Sequence, residues 1–193
     1  MNTTTLVVII VIAIVVIAVL VGALLWQRRS AGLKERFGPE YERKVEESGS
    51  RRKAEADLKE REKRHERLEL TPLSGEAAER YRKDWSNIQN RFVDEPGAAV
   101  EDADRLVVRI MRDCGYPVDD FDRRADDVSV DHPEVAQHYR DAHSVAVDHK
   151  RGQADTERLR QSVTSYRSLV DALLEDRQDH EGGDRFGGAQ QER

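Results

Sequence analysis

The chain has 193 residues, a formal net charge of -6 at pH 7, 36% charged residues and only 6% aromatic residues. This acidic balance argues against nucleic-acid binding, which needs a concentrated basic surface. Cys114 is the only cysteine, which excludes an intrachain disulfide and is typical of a reducing compartment.

The stretch from Leu6 to Trp26 contains no charged residue and consists mostly of Val and Ile. As a helix it spans about 30 Å, the thickness of the hydrocarbon core of a bilayer. The preceding residues 1–5 lack Lys and Arg, and no small-residue cleavage pattern follows, so a secretory signal peptide is not indicated. The sequence predicts an uncleaved, single-pass transmembrane anchor over residues 6–26, after a short N-terminal tail.

Basic residues flank only the C-terminal end of this anchor. The positive-inside rule therefore predicts that residues 1–5 lie outside the cell membrane and that the domain after the anchor is cytoplasmic. Trp26 occupies the position of an interfacial aromatic residue. We expect the lipid bilayer to be one partner, contacted at the membrane interface by Trp26, Arg28, Arg29, Lys34 and Arg36.

Residues 27–70 are predicted to form a basic juxtamembrane segment and a charged helical neck. Gly38 and Pro39 would end one helix and begin the next. Beyond them, acidic and basic residues recur at i, i+4 spacing, and each such pair stabilises a helix by about 0.2–0.5 kcal/mol. A break is expected at Ser48-Gly49-Ser50. If residues 40–68 were otherwise continuous, they would form a stalk of about 40 Å with Gly49 as its hinge.

A coiled coil is an alternative for this neck. Ala54, Leu58 and Leu68 have the spacing of a coiled-coil seam, but Arg61 and His65 interrupt it. A solvated, salt-bridged helix is therefore the preferred interpretation.

Residues 71–176 contain several segments with helical periodicity, and short connections favour antiparallel neighbours. Ser74 is the expected N-cap of the first helix, Gly115 the stop of the second, and Asp131 the cap of the one that follows Pro133. Residues 118–130 are expected to form one or two turns. The apolar faces that would meet in the core include Trp85, Phe92, Leu106, Ile110, Tyr139, Tyr166, Val170 and Leu173.

The predicted fold class is all-α, with an N-terminal transmembrane helix, a charged helical neck, a small antiparallel helical bundle and a disordered C-terminal tail. The tail is assigned to residues 177–193 because they are rich in Gly, Gln and charge.

Several stretches resemble a family of uncharacterised bacterial, largely actinobacterial, single-pass membrane proteins with a charged neck and a helical domain. The resemblance implies family membership and no activity, because it carries no assigned catalytic or binding residue. The matching stretches are Phe37-Gly38-Pro39-Glu40-Tyr41, Arg80-Tyr81 through Trp85 to Phe92-Val93-Asp94, Gly115-Tyr116-Pro117-Val118 to Phe121, Ser129-Val130-Asp131-His132-Pro133, and Tyr139-Arg140 to His143.

The histidines are the only weak candidates for metal ligands, namely His132, His138 and His143. Imidazole and carboxylate groups can hold zinc. However, His138 and His143 are separated by five positions, which points them in different directions on a helix, unlike the i, i+4 pair of a zinc protease. No metal and no cofactor are therefore predicted.

Five acids between Asp119 and Asp127 lack the alternating order and central glycine of a calcium loop, and a solvated acidic face is the preferred interpretation. Cys114 is expected to be a structural thiol on an apolar helix face.

Three functional hypotheses remain. The preferred one is a membrane-anchored, non-enzymatic interaction or scaffold module with a protein partner. The alternatives are an enzyme or metal-binding protein with a His/Asp site in the bundle, and an envelope protein that self-associates as a homo-oligomer.

Overall fold

A computed structural model of the chain describes residues 3–184. Its side chains are described from Ser30 to Glu175 and, before that, at Ile12, Val16, Ile17, Leu20 and Val21. These residues form seven α-helices and no strand, which confirms the all-α class. The helices are α1 (Thr3–Ser48), α2 (Arg51–His65), α3 (Gly75–Arg91), α4 (Pro96–Asp113), α5 (Phe121–Asp131), α6 (Pro133–Lys150) and α7 (Thr156–Asp184).

The chain divides into two compact units, Met1–Leu58 and Lys59–Arg193. The division falls within α2, inside the segment predicted as the neck. Among the residues that the structure describes, we find no helix whose length and apolar character would let it cross a bilayer. Most side chains of the predicted anchor, residues 6–26, lie outside the described set.

In the first unit, two glycines redirect the chain. Gly38 has φ 45° and ψ -121° and kinks α1 just before Pro39, and Gly49 has φ 62° and separates α1 from α2. Such positive φ values are accessible to glycine at little cost. The predicted breaks at both positions are confirmed.

Polar contacts then bring the start of α2 back beside α1. Arg51 Nη2 donates to Ser30 Oγ at 2.8 Å, and Tyr41 OH donates to Glu55 Oε1 at 3.0 Å. Ser30 Oγ also donates to Glu55 Oε1. Residues 40–68 therefore do not form one continuous helix, and the break lies at Gly49, the predicted hinge. Among the side chains described in this unit, the buried apolar ones are Leu33, Phe37, Tyr41, Ala54 and Leu58.

In the second unit, α4 is the central helix, because it packs against α3, α6 and α7. The pairs Tyr81–Asp113 and Arg91–Asp102 show that α3 and α4 are antiparallel. The Arg158–Asp148 pair joins α6 to the start of α7, which returns along it in the same antiparallel sense. The core contains the predicted apolar faces, including Trp85, Leu106, Ile110, Tyr139, Tyr166, Val170 and Leu173, while Phe92 is only partly buried.

Side chains cap the N-termini of α3 and α5. Ser74 Oγ accepts from the backbone N–H of Ala77 at 3.2 Å, which confirms Ser74 as the N-cap of α3. Asp120 caps α5 in the same way through the N–H of Arg123. With this cap α5 extends to Asp131, longer than the one or two turns predicted.

The prediction that Asp131 caps α6 is wrong. His132 is the residue at the N-cap position, and its side chain makes no capping hydrogen bond. Asp131 is the last residue of α5, and its Oδ2 lies 2.6 Å from His65 Nε2 and accepts from Tyr116 OH at 2.5 Å.

The end of α2 belongs to the second unit and packs on α5. Arg61 Nη1 lies 2.7 Å from Asp126 Oδ1, and Arg64 Nη2 lies 3.1 Å from Asp127 Oδ1. Arg61 is 2% exposed and Asp127 is fully buried. The solvated interpretation is therefore wrong both for this part of the neck and for these acids of α5.

The last helix is longer than predicted. The backbone of α7 continues to Asp184, past residue 176 where the sequence analysis ended the bundle. Residues 185–193, the rest of the predicted tail, lie outside the described residues.

Gly115, in the connection between α4 and α5, lies close to the backbone of Glu69, and this close approach can be tested by substitution. Its φ is 92°, and a Cβ placed there would lie 2.6 Å from the backbone oxygen of Glu69. Gly152 has φ 71° with nothing within 4 Å of such a Cβ. We expect Gly152→Ala to cost about 1–2 kcal/mol of unfolding free energy, from backbone strain alone. Gly115→Ala should cost more, because strain and the clash add. Chemical denaturation of both variants measures the difference, and equal losses would contradict the clash.

Candidate functional site

A polar cluster lies inside the second unit, where α4, α6 and α7 meet. Asp104 of α4 accepts a hydrogen bond from Tyr166 OH of α7 at 2.9 Å, and its Oδ1 lies 3.1 Å from His143 Nδ1 of α6. Tyr166 is fully buried, while the side chain of Asp104 is 17% exposed. The three helices are therefore joined through one carboxylate.

Aromatic and basic side chains surround this cluster. The ring of His143 stacks on Phe121 with 3.7 Å between centroids and 11° between planes. Arg124 Nε donates to Tyr139 OH at 3.1 Å, and Arg124 Nη1 donates to the carbonyl of Val118 at 2.7 Å. These contacts hold α5 and the segment before it against α6.

Burial and hydrogen bonding set the charge states. Burial alone would raise the pKa of Asp104, but the hydrogen bonds and charge of His143 and the hydrogen bond from Tyr166 outweigh it and hold that pKa below its ordinary value. Burial, reinforced by the neighbouring carboxylate, raises the pKa of Tyr166. Burial also raises the pKa of Tyr139, to about 12. At neutral pH the cluster thus contains a carboxylate bound by neutral phenol.

A groove of about 560 Å³ opens beside Asp104 between α3 and α4. Arg109 Nη2 lies 3.3 Å from Asp84 Oδ2 across it, and Arg91 Nη1 lies 2.8 Å from Asp102 Oδ2 near its end. Both charge signs are presented to solvent at this groove, and Ile88 and Val108 add apolar surface to its lining. The groove is lined by Asp84, Asn87, Ile88, Asp102, Asp104, Arg105, Val108, Arg109 and Arg112.

A second groove, of about 510 Å³, lies between α6 and α7. His138 of α6 faces Glu157 and Arg160 of α7 there, with hydroxyl groups from Thr164, Ser165 and Ser168. Its lining is polar and contains no other histidine.

The candidate metal ligands are not brought together. His132 is buried at the junction of α5 and α6, with Nδ1 3.9 Å from Glu134 Oε1, whereas His143 pairs with Asp104 and His138 lines the second groove. Within the described residues, no three His, Cys, Asp or Glu side chains are grouped so that they could hold a metal ion.

The predicted membrane-interface residues are only partly described. Lys34 and Arg36 are exposed, and Lys34 Nζ lies 2.6 Å from Glu42 Oε1. The side chains of Trp26, Arg28 and Arg29 lie outside the described set.

Sequence reasoning missed Asp104 and Tyr166 as partners. The available signal was the position of Asp104, at the margin of the widest apolar face in the chain, where an acid has to find a donor. The identity of that donor depends on which helices pack together.

Comparison with family models, curated proteins and solved structures finds no match to this chain. Its function therefore has to be inferred from its own residues.

Asp104→Asn tests the cluster. The pKa of Asp104 is lowered on folding, so its stabilising contribution is present above the unfolded-state pKa of about 4 and is lost as pH falls through the lower folded-state value. At pH 7 the variant should lose about 1–3 kcal/mol of unfolding free energy, as expected for a hydrogen-bonded charge. The difference from wild type should narrow below about pH 4.

Denaturant titrations at several pH values measure this difference. Glu76→Gln is the control, because Glu76 is highly exposed and its ion pair with Arg80 at i, i+4 is exposed as well. A loss at Asp104 that stays constant from pH 7 to the acid limit would contradict the assigned charge state.

Proposed function

We propose that this chain is a membrane-anchored, non-enzymatic helical interaction module, with residues 6–26 as a single transmembrane anchor and the second unit displayed in the cytoplasm. Exposed apolar side chains on α1 carry the proposal. Of the described residues, the exposed large apolar ones are Ile12, Val16, Ile17, Leu20, Val21 and Val93, and all but Val93 fall in the proposed anchor.

The exposure and apolar character of these residues support a lipid partner. Exposed apolar surface of this extent is costly in water and marks interaction or membrane sites. Their uncharged neighbours from Leu6 to Trp26 continue the apolar character along the whole segment. The basic residues after Trp26 favour the orientation with a cytoplasmic C-terminal domain.

The interaction role of the second unit is supported by its polar cluster and its main groove. The side chains best suited to acid-base chemistry are bonded to one another through Asp104, which contacts both His143 and Tyr166. These bonds hold three helices in register. The groove beside them exposes Arg109 and Asp84 as a charged pair. Such a surface fits a protein segment that carries both charges, recognised by electrostatic complementarity.

Val16→Asp together with Leu20→Asp tests the anchor. Each Asp near the centre of a spanning helix costs about 2.5–3.5 kcal/mol of insertion free energy, so the double variant should leave the membrane fraction. Fractionation after alkaline extraction measures this loss. Val93→Asp is the matched control, because Val93 is the exposed apolar residue outside the anchor, and it should stay with the membrane.

Orientation is measured on the same proteins with reporters fused after Arg193. A reporter active only in the cytoplasm should work in the wild type. Activity of an exclusively periplasmic reporter would show that the second unit lies outside, and an Asp double variant that remains in membranes would refute the anchor.

A further inference from the structure

The first unit returns a distant part of the chain to the end of the proposed anchor. Ser30 follows Trp26 by four positions in α1, which corresponds to about 6 Å along the helix axis. Arg51 Nη2 donates to Ser30 Oγ at 2.8 Å, and Ser30 Oγ donates to Glu55. The first turn of α2 therefore lies at the level of Ser30.

This placement depends on the two redirecting glycines. The kink at Gly38 turns the chain after α1 has left Ser30, and the turn at Gly49 leads directly into Arg51. Tyr41 contributes a second link, because Arg51 Nε donates to Tyr41 OH at 2.8 Å. The position of the first turn of α2 beside Ser30 is thus fixed by side-chain bonds on two sides.

The first turn of α2 is basic and exposed. Arg51, Arg52 and Lys53 are all exposed to solvent. The positive end of the helix dipole adds to their charge, since these residues form the N-terminus of α2. In the sequence, Arg28, Arg29, Lys34 and Arg36 follow the proposed anchor with Glu35 among them. Of the charged side chains in the described part of this unit, Lys34 is paired with Glu42 and Arg51 with Glu55.

The nearby acids are largely occupied. Glu55 is buried and bonded to Ser30, Tyr41 and Arg51, and those hydrogen bonds outweigh its burial and lower its pKa. Glu47 lies 3.0 Å from Arg43 and 3.4 Å from Lys44. Glu46 is exposed and remains as an opposing charge on the other limb of the turn.

We infer that Arg52 and Lys53, held at this position by the bonds of Arg51 to Ser30, Tyr41 and Glu55, form a lipid-headgroup contact that selects anionic phospholipid at the membrane surface. The inference rests on the proposed function, because it requires the anchor to hold Ser30 near the bilayer. Basic residues within a Debye length of an anionic leaflet are attracted to it, and each changes the binding equilibrium by about fivefold. The positive charge of this turn and the adjacent anchor favour anionic headgroups of one leaflet as its ligand.

The test uses the full chain with Cys114→Ala, reconstituted in vesicles of phosphatidylcholine and phosphatidylglycerol. A fluorophore is attached at Ala56→Cys, one turn after Arg52, or at Ala31→Cys, next to Ser30; both positions are exposed. Quenching is compared for nitroxide-labelled phosphatidylglycerol and nitroxide-labelled phosphatidylcholine. We expect both positions to be quenched, and position 56 to be quenched about twofold or more strongly by the anionic lipid.

The double variant Arg52→Gln, Lys53→Gln should bring the ratio of anionic to zwitterionic quenching at position 56 close to one. Lys63→Gln with Arg67→Gln is the matched control, because it removes two exposed basic residues beyond the first turn of α2, and it should leave the ratio unchanged. Raising the salt concentration should lower the wild-type ratio.

Other outcomes separate the two proposals. Quenching at position 31 without quenching at position 56 would overturn the headgroup contact and leave the anchor standing. Equal quenching by both lipids at position 56, unchanged in the double variant, would also overturn it. Absence of quenching at both positions would overturn the anchor itself and the headgroup contact with it.

Discussion

Burial of α4 on more than one side is the constraint on which the second unit depends. Ala99, Val100, Ala103, Leu106, Val107, Ile110 and Met111 are all fully buried, and they face α3, α6 and α7. The alanines let neighbouring helices approach closely, while the larger side chains fill the space between them. Full burial of a large aliphatic side chain contributes about 1.5–3 kcal/mol, so a charged chain with few aromatic residues gains most of its cohesion here.

Much of this bundle follows from the sequence, because its apolar faces recur at helical spacing and its boundaries carry recognisable chemistry. Trp85, Ile110 and Tyr139 are buried as predicted, Ser74 caps α3, and Gly115 ends the α4 segment. The contacts of the polar cluster could not be predicted from the sequence. Asp104, His143 and Tyr166 are distant in sequence, and their contact depends on which helices become neighbours.

For the neck, the sequence-based prediction was wrong about which charged side chains are buried. Dense i, i+4 charge suggested a solvated helix, yet Arg61 is buried against Asp126 and Glu55 is buried against Ser30. Local pairing explains why the segment is helical, but it does not reveal which charges face a neighbour. The sequence alone could not distinguish a solvated arginine from one that is matched by an acid on a helix far along the chain.

Arg61 also limits which substitutions the chain can accept during evolution. Replacing it alone would leave Asp126 paired with Arg140, whose Nη2 lies 3.1 Å from Asp126 Oδ1. The side chain of Asp126 is also 27% exposed, so the loss of unfolding free energy should be smaller than the about 3–5 kcal/mol expected for a fully buried pair. Substitutions at Arg61, Asp126 and Arg140 are therefore expected to be epistatic, because the effect of replacing either arginine depends on whether the other is still present.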